Sequence, residues 1–423
     1  MTESFPILLS IGLLFFISIL CGKIANLLKA PRMVGYLIAG VIFGPSFLGL
    51  FSYERVHGDY ALLVDFSLAV IAFSMGEHLR ASKIKGLGKD VVTITLAQGA
   101  AAAAVVGVSL YYLMPLLINI EEPGASSTMI LPIALVVGAA SASSAPASIM
   151  SLVKEYKAKG RFVSALLGSV ALSDVMTIAL YGFAITFAVD IISSDNITLL
   201  DALWKPTKKI FLAITIGIGA GICLKLLLPF FKERGHIFAL ILGAILVVAG
   251  LSRWFGFSPL LASLVLGIAA ANIIPERKEG DKTGAYDAFL VIERIEEAIF
   301  GVFFLLAGAH IDFSIIGQAL GFAVIITLLR FSGKISGCWI GAWASGSDDA
   351  VRRYLGIAML PAAGVMVGLT LDASETLKGD SNPLLDLMVS SVLSATLLNE
   401  LITPFLVRYA LKKSGSIKKN KSE

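Results

Sequence analysis

From Ser4 to Gly22 the chain runs "SFPILLSIGLLFFISILCG" without one charged residue. A helix needs about 20 predominantly apolar residues to cross the hydrocarbon core of a bilayer. Several later stretches reach the same length, and they constrain the fold more than any other feature. Hydrophobic residues make up 57% of the 423, charged residues 15%, and the mean hydropathy is +0.86. Soluble domains carry nearer a quarter of charged residues. The class is therefore an all-α polytopic membrane protein embedded in a lipid bilayer. The basic residues form no single patch, so the net charge of +4 gives no reason to expect a nucleic-acid partner. Cys21, Cys223 and Cys338 all fall in apolar runs, with neither disulfide nor metal-site spacing, which predicts packing roles. No cofactor is expected. The opening residues lack a basic segment and a small-residue cleavage site, so a retained first helix is expected rather than a signal peptide.

Periodicity and length predict about 13 transmembrane helices. They fall near 5–28, 33–50, 60–79, 90–117, 128–153, 161–190, 205–231, 236–253, 258–274, 289–310, 314–345, 352–372 and 384–411. Alternate connections are basic: Arg80, Lys83, Lys85 and Lys89 in one, Lys154, Lys157, Lys159 and Arg161 in the next of that side. Lys232 and Arg234, Arg277, Lys278 and Lys282, then Arg352 and Arg353 continue the series. The basic-rich side holds roughly 23 of the 34 Lys and Arg residues against about 6 opposite, which makes it cytoplasmic. The N-terminus is then outside and the C-terminus inside, in agreement with an odd number of spans. A basic tail, residues 412–423, ends the chain.

Two predicted helices are interrupted. The fifth contains "GAASASSAPAS" (138–148) with Pro146, and the twelfth "MLPAAGVMVG" (359–368) with Pro361 and Gly364. Proline removes a helical hydrogen bond. Interrupted helices at corresponding places in two halves point to a transporter site. These two are separated by an odd number of spans, so they run in opposite directions, as inverted repeats require. The expected organisation is a first repeat over about 5–190, a linker helix over 205–231 and a second repeat over 236–411.

Depth gathers the intramembrane charges. At about 1.5 Å rise per residue, Asp174, Lys334 and Glu400 all lie roughly 17–20 Å from the basic-rich side. Pro146 and Pro361 fall in the same central slab. Intramembrane ionisable residues are costly and mark function by default. Burial disfavours the charged form, so such groups exchange protons readily. Carbonyls freed by a helix break can hold a small cation beside a carboxylate. A carboxylate that holds either a proton or a monovalent cation couples the two fluxes. That is the minimal chemistry of an antiporter, with the monovalent cation bound at Asp174.

These residues resemble the monovalent cation/proton antiporters, in the branch that includes sodium/proton exchangers and potassium-efflux proteins. "PRMVGYLIAGVIFGPSFLGL" (31–50) is similar to that family's second-helix signature. "GAASASSAPASIMSLVKEYKAKGRF" (138–162) is similar to its broken helix, and "VALSDVMTIALYGFA" (170–184) to its carboxylate helix. "FFLLAGAHID" (303–312), "GKISGCWIGAWASG" (333–346), "GIAMLPAAGVMVGL" (356–369) and "LLNELITPFLVRYAL" (397–411) extend the resemblance over nearly the whole chain. It implies crossed broken helices in a core domain, a dimerisation domain, a homodimer, and elevator-like alternating access in a bacterial inner membrane. By position it implies Asp174 as the carrier of ion and proton, Ser143 and Ser144 as hydroxyl ligands, and Lys334 as the buried lysine.

Two departures matter. Position 173 is serine where the branch usually has a second aspartate, which leaves one carboxylate and takes from Lys334 its usual partner. Ser173 then belongs to the expected ion site, Lys334 is free to pair with Glu400 or Asp174, and exchange is expected to be electroneutral. The second break, "PAAG", lacks the charged pair some relatives carry. The same departures keep an alternative open: the fold acting as a channel, or as a transporter of another solute, without proton coupling. An intramembrane hydrolase is disfavoured, because His57, His78, His236 and His310 all lie near membrane edges. Glu293, Arg294, Glu296 and Glu297 open the tenth helix and suit its dipole. Asp65 is a candidate for an outer vestibule, Glu77 and His78 for a snorkelling helix end, and Gly40 with Gly44 for a packing face.

Overall fold

The computed structural model describes residues 6–28, 30–77, 79, 88–118, 127–193, 199–231, 233–273, 284–362, 364–377 and 382–417. Every regular element among them is helical. In chain order the α-helices are α1 (Ile7–Leu27), α2 (Arg32–Phe43), α3 (Tyr53–His57), α4 (Ala61–Glu77), α5 (Lys89–Leu117), α6 (Ile130–Ala140), α7 (Pro146–Glu155) and α8 (Arg161–Ser193). Then come α9 (Leu199–Leu227), α10 (Arg234–Phe255), α11 (Pro259–Ile273), α12 (Gly284–Ala309), α13 (Ile316–Ala344), α14 (Asp349–Ala358), α15 (Gly364–Leu377) and α16 (Pro383–Lys413). Seven of these are long and apolar enough to cross a bilayer. The predicted fifth span is α6 plus α7 and the twelfth is α14 plus α15, each broken at its proline. The predicted second span, 33–50, stops at Phe43, because Gly44 and Pro45 end the helix. The basic residues Arg80, Lys83, Lys85, Lys232, Arg277, Lys278, Lys282, Lys418, Lys419 and Lys421, and also His78, lie outside the described residues.

The chain forms two compact units, residues 1–83 with 196–310, and residues 84–195 with 311–423. The first unit contains α1–α4 and α9–α12. Its helices meet through glycines: a β-carbon at Gly40 or Gly308 would strike backbone across the α2–α12 contact, and one at Gly76 or Gly267 backbone across the α4–α11 contact. Small residues allow helices in lipid to approach closely, and Gly40 and Gly44 act here as the sequence suggests. Large apolar side chains such as Leu8, Phe16, Phe211, Leu226 and Trp254 remain exposed on the unit, as lipid-facing surface requires. Of the cysteines, Cys338 is buried, whereas Cys223 lies on an exposed face of α9 rather than in packing.

The second unit contains α5–α8 and α13–α16. Here α13 packs along α5 by a glycine every fourth residue. A β-carbon at Gly337 would come within 2.6 Å of Gln98 Cα, and one at Gly341 within 2.6 Å of Ile94 Cα. That contact fixes the rotation of α13, whose buried face includes Arg330 and Lys334. The two interrupted helices cross at their breaks, where the Ala145 N–H donates to the Pro361 carbonyl at 2.9 Å.

Candidate functional site

A broken helix frees backbone groups, and each buried one needs a partner. At the second break these partners are side chains. The Met359 carbonyl accepts from Lys334 Nζ at 3.2 Å and from Ser144 Oγ at 3.2 Å. Leu360 O accepts from Arg330 Nη1 at 2.5 Å, and Ala362 O from Asn399 Nδ2 at 3.4 Å. With the Ala145–Pro361 bond, the four carbonyls from Met359 to Ala362 are all engaged. At the first break, Ser143 O accepts from Arg330 Nη2 at 2.7 Å and Ala142 O from Ser173 Oγ at 3.1 Å. Several of the carbonyls freed at the two breaks thus already accept hydrogen bonds from Arg330, Lys334, Asn399, Ser144 and Ser173.

Helix dipoles explain the charge placement. The C-terminal ends of α6 and α14 meet at the crossing, and each is the negative end of its helix. Arg330 and Lys334, one turn apart on α13 and both buried, sit against those ends. Carboxylates take the opposite poles. Glu400 Oε2 accepts from Ser148 Oγ at 3.4 Å in the first turn of α7, while the Asp174 carboxylate faces the Ser144 backbone N–H just before it.

Lys334 does not form the pair left open by the sequence, with Glu400 or with Asp174. Its ammonium donates to Ser144 Oγ at 2.6 Å and to Met359 O, and interacts with Asp174 only at longer range. Ser173 supplies an uncharged link where a second carboxylate was missed. Its hydroxyl lies 3.1 Å from Ala142 O and 3.3 Å from Ser144 Oγ, and accepts from Gln98 Nε2 at 3.3 Å. The structure thus brings Asp174, Ser173, Ser144, Lys334 and both breaks together. Pro146 is the first residue of α7 and Gly364 the first of α15. Glu400 belongs to an adjoining cluster with Ser148, Asn399 and Arg330.

What remains free is informative. Asp174 Oδ1, Ser143 Oγ and Glu400 Oε1 are buried with no hydrogen-bond partner. Of the two serines expected as ligands, only Ser143 keeps its hydroxyl uncommitted. The sequence reading missed Arg330, Asn399 and Gln98. Arg330 had a signal: a second cation one turn before Lys334 in the same apolar helix.

The charges assigned lesser roles behave differently. Asp65 forms an ion pair with Arg253, which is a structural contact rather than a free vestibule carboxylate. Ser74 donates to Glu296. The side chains of Glu293, Arg294 and Glu297 lie outside the described ones.

The sodium/hydrogen exchanger transmembrane family model matches residues 12–409. The chain belongs to that family. It is an integral multi-pass membrane protein, its family is one of transporters, and its activity is cation/proton antiport. It is 24% identical to the Na(+)/H(+)-K(+) antiporter GerN of Bacillus cereus, over 96% of both chains. It is also 24% identical to the probable Na(+)/H(+) antiporter GerT of the same organism, over 81% of this chain and 84% of that one. In fold it is similar to the sodium proton antiporter MjNhaP1 of Methanocaldococcus jannaschii at pH 8, with a TM-score of 0.77 and 18% identity, over 96% of this chain and 97% of that one. That likeness is one of fold, and the all-helical architecture with its two interrupted helices agrees with it.

Proposed function

We propose that the chain exchanges sodium for protons one for one, with Asp174 as the group that carries either. The observation behind this is the buried Asp174 Oδ1, an acceptor with no partner beside the crossed breaks. A proton or a cation satisfies it, and the two compete. Ser143 Oγ is the nearest uncommitted hydroxyl in sequence to the break and completes the ligand set with the Asp174 carboxylate. Lys334 and Arg330 stay bound to carbonyls as fixed counter-charges. Because Ser173 carries no charge, the site bears the same net charge with one proton as with one sodium, and the exchange is electroneutral. The protein works as a homodimer in a bacterial inner membrane, N-terminus outside, with elevator-like alternating access. Its physiological task is pH and cation homeostasis. Potassium is the second reading of the ion, favoured by the relative named as exchanging sodium, protons and potassium.

The test is proton flux in proteoliposomes. An inside-acid gradient is imposed and a pH dye followed while sodium, lithium, potassium or choline is added. Wild type should dissipate the gradient with sodium and not with choline, and Asp174→Asn should lose the response by more than about a hundredfold, because proton transfer and binding both need the carboxylate. No cation-dependent flux from folded wild type would sink the antiporter reading at Asp174. A current driven by the sodium gradient at zero voltage would sink only its electroneutral form.

A further inference from the structure

A further buried carboxylate lies outside the site already described. Asp372, 6% exposed, sits on α15 two turns beyond its start at Gly364. It accepts a 2.6 Å hydrogen bond from the hydroxyl of Tyr181, which is fully buried on α8. Tyr181 lies two turns beyond Asp174 on the same helix, about 10 Å along its axis. Asp174, Thr177 and Tyr181 occupy positions i, i+3 and i+7, so they share one face of α8. Both Asp372 and Tyr181 are therefore displaced from the crossing in the same direction, away from the basic-rich ends.

We propose that Asp372 and Tyr181 form a second proton-binding station, which takes a proton from the outer side and passes it to Asp174. The proposal rests on the antiporter reading, since it needs a proton acceptor at Asp174. A carboxylate so far from water is costly unless a partner or a proton stabilises it. Packing alone would place an apolar residue there. The transfer balances without any co-reactant. A proton from outer water binds the Asp372 carboxylate. The Tyr181 O–H then breaks as its proton is handed on to the Asp174 carboxylate, a distance that bridging water must span, and the Asp372 proton restores the phenol.

Other titratable groups stand on the elements packed against Asp372. Glu375 is on α15 itself, Asp190 and Asp174 on α8, and Asp386 and Glu400 on α16. Asp190 ends the same helix further out, and Glu375 and Asp386 lie near helix ends. Asp372 is joined by its 2.6 Å hydrogen bond to a residue on the Asp174 face of α8.

The test separates proton transfer from cation transfer. Exchange of tracer sodium for sodium at equal pH needs no proton, because Asp174 is loaded with a cation in both directions. Proteoliposomes of wild type, Asp372→Asn and Tyr181→Phe are compared in sodium-driven proton flux and in tracer exchange. Asparagine keeps the shape and the acceptor for Tyr181, so the fold is preserved. Asp372→Asn should slow proton flux at least about tenfold while tracer exchange stays within about twofold of wild type. Tyr181→Phe should give a smaller fall of the same selectivity. Equal falls in both assays would mark a structural role and overturn the proposal, as would unchanged proton flux in Asp372→Asn. If wild type itself moves no protons with sodium or potassium, the antiporter reading fails and the station with it. If potassium alone drives wild type, tracer rubidium replaces sodium in the second assay.

Discussion

The two units bury different things. Among the described residues, every buried Asp, Glu, Lys and Arg lies in the unit built from residues 84–195 and 311–423: Asp174, Asp190, Arg330, Lys334, Asp372 and Glu400. Among the described residues, the other unit buries serines, His310 and the Tyr60 hydroxyl as its polar groups. Several of these bond within their own helix, as Ser18 does to Phe15 O, Ser67 to Leu63 O and Ser252 to Val248 O. Glycine contacts between backbones serve both units, and the second adds side chains that tie two interrupted backbones together. Van der Waals packing tolerates little change of shape, whereas a polar tie tolerates little change of chemistry.

Substitutions should separate the two cases, and the largest effect belongs to the polar unit. Arg330→Met removes the donor to Leu360 O and Ser143 O, and each unsatisfied buried carbonyl costs about 1–3 kcal/mol. Thermal unfolding in detergent should show a large loss of stability, and transport should fall with it. A variant as stable as wild type would show that the crossing does not depend on this clasp.

An intermediate effect is expected in the other unit. Gly76→Val drives methyl groups into the Leu264 carbonyl region of α11. Overpacking of that kind costs typically 1–3 kcal/mol. The unfolding midpoint should fall, while the ratio of sodium to potassium transport in the surviving protein stays that of wild type. A changed ion ratio would break the division drawn between the units.

The smallest effect is expected at the pair Arg253–Asp65, which is part-exposed on both sides. Asp65→Asn should change stability by no more than about 1 kcal/mol and leave proton flux intact. A strong transport defect would return Asp65 to the role of a vestibule carboxylate.

The helices and their breaks were legible because lipid permits few alternatives. An apolar stretch must be helical, and Pro146 and Pro361 stand in runs of small residues where the helix is interrupted, whereas Pro115 and Pro404 lie within continuous helices. Asp174 and Lys334 were legible for the same reason, as charges where none is cheap. The identity of their partners was not. Ser143 and Arg330 are separated by 187 positions and Ser144 and Met359 by 215, and no local pattern announces those bonds. Residue types show that a break frees acceptors, but only the packing of α13 shows who claims them. The end of α2 at Gly44 was missed because an apolar run continues past it, although Gly44 and Pro45 carried the signal.

The bond from Ala145 N–H to the Pro361 carbonyl has a consequence for how such a protein can vary. It is made by two main chains, and its acceptor exists whatever side chain follows. Only proline at position 145 would delete its donor. Mutation can therefore rewrite the ligands around the crossing, serine for aspartate at 173 or an uncharged "PAAG" at the second break, without unfastening the joint on which they are mounted. The joint of the crossing is stored in the path of the chain, not in the side chains around it.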